Sequence, residues 1–404
     1  MAKTIALSGP RSLAPVSVAL CCFLSSVTHA AAQNAPAAPF ALPHLPPCAD
    51  SGSAIQSPCV LPASFDAQDA ARRIGQRDHV WWVDGDRLNL LARTPAASPL
   101  ALCCTVMTPL APIAGTGLSS VTVRLPRMRE AILEISLFPQ PFYSAPDMWR
   151  GPDAPPAPPR AEPLAGHVTV YDFPSKILGE SRRVTIYVPP GLPKGRKAPV
   201  LYLADDLATS FAPIAEAAIK TGRVRPIILV GIAAAKPSAP NCSNFPCDRR
   251  GLEYLIDANG GDVTGDNPFT RHMRFVADEL LPYVEAHFPV LKNKENRGVG
   301  GSSNGGDWAV AAAALHPDLF GNVMAMSVAT RASVEQAGHL GSAKVFGGSG
   351  ILEPSFLKTT QATIDRAKAA GAKTKASMPV TGHSPPAWDV MFAEGEMWLF
   401  PKGG

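Results

Sequence analysis

Gly301-Ser302-Ser303-Asn304-Gly305 is the segment whose residue types and spacing can do covalent chemistry. It fits G-x-S-x-G. A short apolar run, Gly298-Val299-Gly300, precedes it, and an alanine-rich run, Trp308 to Leu315, follows. A strand therefore enters the motif and a helix leaves it. On such a sharp turn the serine hydroxyl is pushed into the open, and the glycines let strand and helix approach each other closely. A serine hydroxyl is a weak nucleophile until an adjacent base takes its proton. The chemistry implied is acyl transfer, with Ser303 attacking a carbonyl carbon and the Asn304 N–H donating to the oxygen that becomes negative. A plain Gly/Ser turn would explain neither flanking run.

A base must come later in the chain, because this arrangement orders its partners serine, acid, histidine. His316, His339 and His383 follow Ser303. His316 ends a helix before Pro317, and His339 lies in a Gly-rich connection. His383 stands in Thr381-Gly382-His383-Ser384-Pro385-Pro386, directly after a predicted strand over 374–380. That loop position suits an imidazole that takes the serine proton and returns it to the leaving group. Glu353 is the first carboxylate after the predicted strand over 343–346 and is the candidate acid. It could instead open the following helix, where a carboxylate favours the dipole. Asp365 is the other candidate, although it falls in mid-helix. A second oxyanion donor should follow an early strand; Val200 to Leu203 runs into Ala204-Asp205-Asp206-Leu207, and the Leu207 N–H is the candidate.

The elements that position these residues alternate. After Gly166 the strand-like runs 183–188, 200–203, 226–232, 298–300, 323–327 and 343–346 are interleaved with helical stretches over 214–221, 273–287, 308–315 and 354–370. Such alternation predicts a mostly parallel sheet covered by helices. With the strand–turn–helix motif, it points to an α/β-hydrolase fold over 164–404. The runs 80–83, 88–92, 102–106, 120–125 and 131–137 are short, β-rich and separated by turn signals such as Asp84-Gly85. They predict a small all-β, sandwich-like domain over 64–142. Seven prolines between Pro146 and Pro163 predict an extended linker over 143–163.

Residues 1–32 carry Lys3 and Arg11, an apolar run from Leu13 to Val27, and then small residues, the pattern of a cleaved secretory signal. The Ala- and Pro-rich stretch 33–63 reads as a disordered leader. The 404 residues hold 37 Lys+Arg against 33 Asp+Glu, a net +4 that falls by two with the signal. A balance this close to zero offers nothing to nucleic acid or an anionic membrane. Export predicts disulfides among Cys48, Cys59, Cys103, Cys104, Cys242 and Cys247. Cys242–Cys247 is the leading local pair and Cys48–Cys59 the next, while Cys103 and Cys104 could be buried thiols or a vicinal bridge. No histidine lies near a cysteine pair at zinc-ligand spacing, and no cofactor is called for.

Several segments of 164–400 together resemble the putative-esterase branch of the α/β-hydrolases. They are 182–190 as the opening strand, Leu201-Tyr202-Leu203-Ala204-Asp205-Asp206-Leu207 as an oxyanion segment, Arg250-Gly251-Leu252-Glu253-Tyr254 as an R–E-Y loop, 279–285, the elbow, and 316–321. With the β-domain and Gly350-Ile351-Leu352-Glu353-Pro354, the likeness is greatest to enterochelin esterases. It implies a small ester substrate, ferric catecholate siderophores among the candidates, with Asp206, Arg250 and Trp388 as substrate-binding residues. Asp206 stands where that family usually has glycine, and Ser384 where an acidic residue is common. The resemblance implies a serine esterase acting through an acyl-enzyme, whereas the periplasmic or secreted location follows from the signal pattern and contrasts with the cytoplasmic members of that family. The same site would suit a feruloyl or acetyl polysaccharide esterase or an acyltransferase. A non-catalytic binding protein on a decayed hydrolase fold is the third reading, and the retained Ser303 and His383 argue against it.

Overall fold

A computed structural model describes residues 44–49, 55–62, 65–94, 100–138, 146–193, 195–238 and 248–403. The expected signal and the Cys242–Cys247 pair lie outside these. Among the described residues, the N-terminal part holds strands β1 (Cys59–Val60), β2 (His79–Asp84), β3 (Arg87–Arg93), β4 (Ala101–Cys104), β5 (Thr108–Pro109), β6 (Ala111–Ile113), β7 (Leu118–Arg124), β8 (Ile132–Phe138) and β9 (Asp147–Arg150), with an α-helix, α1 (Ala67–Ile74), and a short 3-10 turn at Met128–Glu130. One antiparallel sheet runs β1-β7-β3-β2, with β6 also on β7, and a second runs β5-β4-β8-β9. Leu88, Leu90, Val121 and Val123 of the first sheet share a core with Leu102, Leu133 and Ile135 of the second. This is the expected sandwich, built from alternating inward residues. Its strands reach beyond 64–142: β1 pairs with β7 upstream and β9 pairs with β8 inside the expected linker. Cys48 is disulfide-bonded to Cys59, and Cys103 is bonded to Cys104 across a cis peptide.

The C-terminal half adds β10 (His167–Ser175), β11 (Glu180–Val188), β12 (Val200–Ala204), β13 (Ile228–Ile232), β14 (Arg297–Ser302), β15 (Asn322–Met326), β16 (Lys344–Gly348) and β17 (Lys373–Ser377). They form one sheet in the order β10-β11-β13-β12-β14-β15-β16-β17. The first two neighbour pairs are antiparallel and the rest parallel. The central strands are buried throughout, as both faces are covered. The helices are α2 (Ala208–Lys220), α3 (Arg249–Tyr254), α4 (Pro268–Arg274), α5 (Leu281–His287), α6 (Asn304–Leu315), α7 (Arg331–Gln336), α8 (Pro354–Ala369) and α9 (Pro385–Leu399). The single helix expected over 273–287 is interrupted by a π-helical turn, Phe275–Leu280, just ahead of Pro282, which has no N–H to continue the ladder.

The proline-rich segment is fastened at both ends. Asp153 N–H donates to the Arg129 carbonyl at 2.8 Å, and Ala161 N–H to that of Pro213 at 2.8 Å. Arg160 bonds the Ser210 carbonyl and Asp389, reaching both α2 and α9. The buried Glu216 carboxylate accepts from the N–H groups of Ala165 and Gly166. The described residues from His44 onward pack as one compact unit.

Candidate active site

β14 runs into Ser303, whose backbone sits at φ 57° and ψ −132°, and α6 begins at the next residue. A non-glycine residue in that region is strained by about 1–3 kcal/mol, so the surroundings must hold it there. They do so by close approach. A Cβ at Gly301 would lie 2.5 Å from the Gly305 carbonyl, one at Gly305 2.8 Å from Ala204 Cβ, and one at Gly306 2.5 Å from the Met326 oxygen. Ser303 N–H donates to the Met326 carbonyl at 2.9 Å, fastening the elbow to the end of β15. Asn304 opens α6, where a first-turn N–H has no partner within its own helix.

Ser327, the residue after β15, links the elbow to the other two sequence-derived candidates. Its hydroxyl donates to Glu353 Oε1 at 2.7 Å, and Ser349 Oγ and Gly350 N–H reach the same oxygen at 2.8 and 2.7 Å. The second oxygen, Oε2, lies 2.6 Å from His383 Nδ1. Glu353 is buried while His383 is 28% exposed. Because Nδ1 faces a carboxylate, the proton is assigned to Nδ1, which leaves Nε2 as the acceptor. The imidazole stacks on Phe356 at 4.2 Å and meets the Trp388 ring edge-on at 5.1 Å. Trp388 Nε1–H donates to Ser327 Oγ at 3.2 Å. Trp388, expected to bind substrate, thus walls the histidine and caps the carboxylate's network. Asp365 is exposed on α8 and accepts from Gln361, apart from this cluster.

The loop after β12 departs from expectation. Leu207 N–H, the candidate oxyanion donor, bonds the Ala204 carbonyl at 3.2 Å within its own turn. Asp205 and Asp206 both have positive φ, 57° and 58°. Asp206 does not face the elbow: its carboxyl lies over β13, where a Cβ at Gly231 would come within 2.6 Å, and near Arg183 of β11. Burial there raises its pKa. Asp205 is the residue beside the elbow, its Oδ2 3.1 Å from where a Gly305 Cβ would be. Arg250 grips Asp205 with two bonds of 2.7 Å, so its fork is occupied by this chain's own carboxylate instead of a ligand. Tyr254 accepts from Asp205 N–H at 3.1 Å. The R–E-Y loop therefore braces the loop: Arg250 and Tyr254 hold Asp205, and Glu253 forms a buried two-bond pair with Arg182.

Behind Tyr254 lies His272, fully buried against Tyr254 and Trp308; among the described residues neither of its ring nitrogens has a hydrogen-bond partner. Burial lowers its pKa from 6.5 to about 4. Below pH 6.5 the unfolded chain takes up a proton that the folded chain refuses, so acid favours unfolding until about pH 4. The loss is of order 3 kcal/mol. His272→Phe is expected to flatten this part of the acid limb when Tm is followed from pH 7 to 4. Parallel Tm curves for the two proteins would refute the assignment.

Residues 175–397 match the model of the family described as "Putative esterase". The chain belongs to this esterase family. Its fold is shared with solved enterobactin esterases. The FES enterobactin esterase from Shigella flexneri, crystallised in the presence of enterobactin, superimposes with a TM-score of 0.59 at 17% identity over 80% of this chain and 96% of that one. The enterochelin esterase from Shigella flexneri gives 0.58 at 18% identity, covering 80% and 96%. The ferric enterobactin esterase from Salmonella typhimurium gives 0.55 at 16%, covering 81% and 98%. The esterase family and an α/β-hydrolase sheet preceded by an antiparallel β-domain agree with the expected fold and with an ester-cleaving enzyme. Ser327, Ser349 and Phe356 escaped the sequence reading because no spacing marks them; only the contacts among strand ends do.

Proposed function

We propose that the protein is an exported serine carboxylic-ester hydrolase that works through an acyl-enzyme and cleaves esters of the catecholate siderophore class. The observation that supports it most is the 2.6 Å bond from His383 Nδ1 to the buried Glu353, alongside an elbow that holds Ser303 in positive φ. In this reading His383 Nε2 takes the Ser303 proton as Oγ attacks the ester carbonyl. Asn304 N–H and Leu207 N–H stabilise the oxyanion, the latter released from its 3.2 Å turn bond. The alcohol leaves with the proton from His383, and water then resolves the acyl-enzyme by the same steps. For the substrate class, the support is that the fold match to enterobactin esterases covers 80% of this chain, more than its catalytic half alone. For export, the support is the basic-then-apolar run at residues 1–32 and the Cys48–Cys59 disulfide.

Hydrolysis of p-nitrophenyl esters, a feruloyl ester and ferric enterobactin, measured side by side, tests this. The expected result is turnover with the highest kcat/KM on ferric enterobactin. Preference for the feruloyl ester would overturn the substrate class. Acyl transfer to an added alcohol outrunning hydrolysis would make it a transferase. No turnover and no labelling by a fluorophosphonate would leave a binding protein.

A further inference from the structure

We propose that the β-domain is half of the active-site framework, with Thr105 as a positioning residue for His383; this rests on the triad reading above. Thr105 follows β4 directly and is 3% exposed. Its Oγ1 donates to the Glu134 carbonyl at 3.0 Å and accepts Glu134 N–H at 2.7 Å, fixing it to β8. Its backbone is the seat of Gly382, the residue before His383. A Cβ on Gly382 would fall 1.6 Å from the Thr105 carbonyl oxygen and 2.4 Å from its carbon. The two main chains therefore touch without room for a methyl group.

Other contacts hold the same loops. Ile132 N–H, at the start of β8, donates to the Val380 carbonyl at 2.8 Å. Val380 and Leu352 are buried in the core of the β-domain, beside Leu102, Val106 and Leu133. Leu352 precedes Glu353, and Val380 lies three residues before His383, so the segments carrying acid and base are both rooted in that core. The two segments are also joined to each other: Leu352 N–H donates to the Thr381 carbonyl and Ile351 N–H to that of Pro379, each at 3.0 Å. A Cβ at Gly350 would fall 2.0 Å from the Thr381 oxygen. The imidazole's position is thus set from the β-domain side as well as by Glu353.

The test uses the full chain with Thr105→Val, Thr105→Ser and Gly382→Ala. Valine keeps the shape and removes both bonds to Glu134; serine keeps the hydroxyl. A misplacement near 1 Å can cost on the order of 10²-fold in rate. Thr105→Val is therefore expected to lose at least about 10-fold in kcat with KM held, and to shift the acid limb of the kcat–pH profile, while Thr105→Ser recovers most of the rate. Gly382→Ala is expected to lose on the order of 10²-fold in kcat or to fail to fold, the contact having no slack either way. Wild-type kcat and an unmoved pH profile in Thr105→Val would overturn the proposal, as would a folded Gly382→Ala with wild-type kcat. A purely structural Thr105 would lower Tm and leave kcat and the profile in place, which also overturns it. Labelling of wild-type protein at Ser303 by a fluorophosphonate, and its loss of activity in His383→Ala, separate failure of this inference from failure of the triad reading.

Discussion

Ser303→Ala is expected to abolish ester hydrolysis while the protein remains folded. The substitution removes one oxygen from a residue whose backbone N–H bond to Met326 is untouched. The glycines that crowd the turn are unchanged, so the elbow keeps its shape. On the proposed mechanism, what is lost is the covalent route: His383 has no hydroxyl to deprotonate, and only donors to the oxyanion remain. Loss of a triad nucleophile costs on the order of 10⁶-fold in kcat. The check is kcat on a p-nitrophenyl ester together with fluorophosphonate labelling mapped by peptide mass. Labelling that survives in Ser303→Ala would move the nucleophile elsewhere; retained activity without labelling would remove the acyl-enzyme.

Glu353→Gln is expected to cut kcat by about 10²- to 10⁴-fold with little change in KM. Glu353 accepts at every contact: Oε1 from Ser327, Ser349 and Gly350, and Oε2 beside His383 Nδ1. An amide cannot accept on both sides. With its NH2 toward His383, it donates to Nδ1 and drives the proton to Nε2, so the imidazole can no longer take one from Ser303. With its NH2 toward Gly350, it faces a main-chain donor that cannot turn away, and a buried N–H is left without a partner, at about 1–3 kcal/mol. Either way the positive charge that the proposed mechanism places on His383 in the transition state loses its carboxylate. If Glu353 did no more than open α8, the cost would be a few tenths of a kcal/mol and kcat would stay near normal. A Michaelis–Menten series on the variant decides between these.

Much of this site was readable in order. The elbow is a local device, since its glycines and serine act within five residues, so sequence spacing reports it directly. Glu353 and His383 were reachable because each follows a run that had to be a strand in a parallel sheet, and parallel strands end on the same edge. Position along the chain was enough to nominate them. The loop after β12 was not readable in the same way. Asp205 and Asp206 are adjacent and alike, yet consecutive positive-φ residues send one carboxylate toward the elbow and the other over β13. Arg250 was given a ligand-binding role by the family resemblance, and nothing in its local sequence marks its partner Asp205, which lies 45 residues away. The same holds for Trp388, whose helix α9 was absent from the sequence reading: Pro385 and Pro386 mark a loop until they are seen to occupy the first turn of a helix. β9 was hidden among prolines because its four residues gain their sheet character only from the facing edge of β8.

The proline-rich strap also bears on how tightly the two halves are held together. Proline restricts its own φ before folding begins, so a segment such as Pro155 to Pro163 has fewer conformations to surrender than a Gly/Ser tether of equal length. Both of its ends are tied, to Arg129 on one side and to α2 on the other. The β-domain is thus presented to the catalytic half at a high and fixed effective concentration, because no slack chain dilutes it over a larger volume. Interdomain surfaces that would be marginal between free partners are then favoured to stay closed, and the seat beneath Gly382 is held by that confinement as well as by its own contacts.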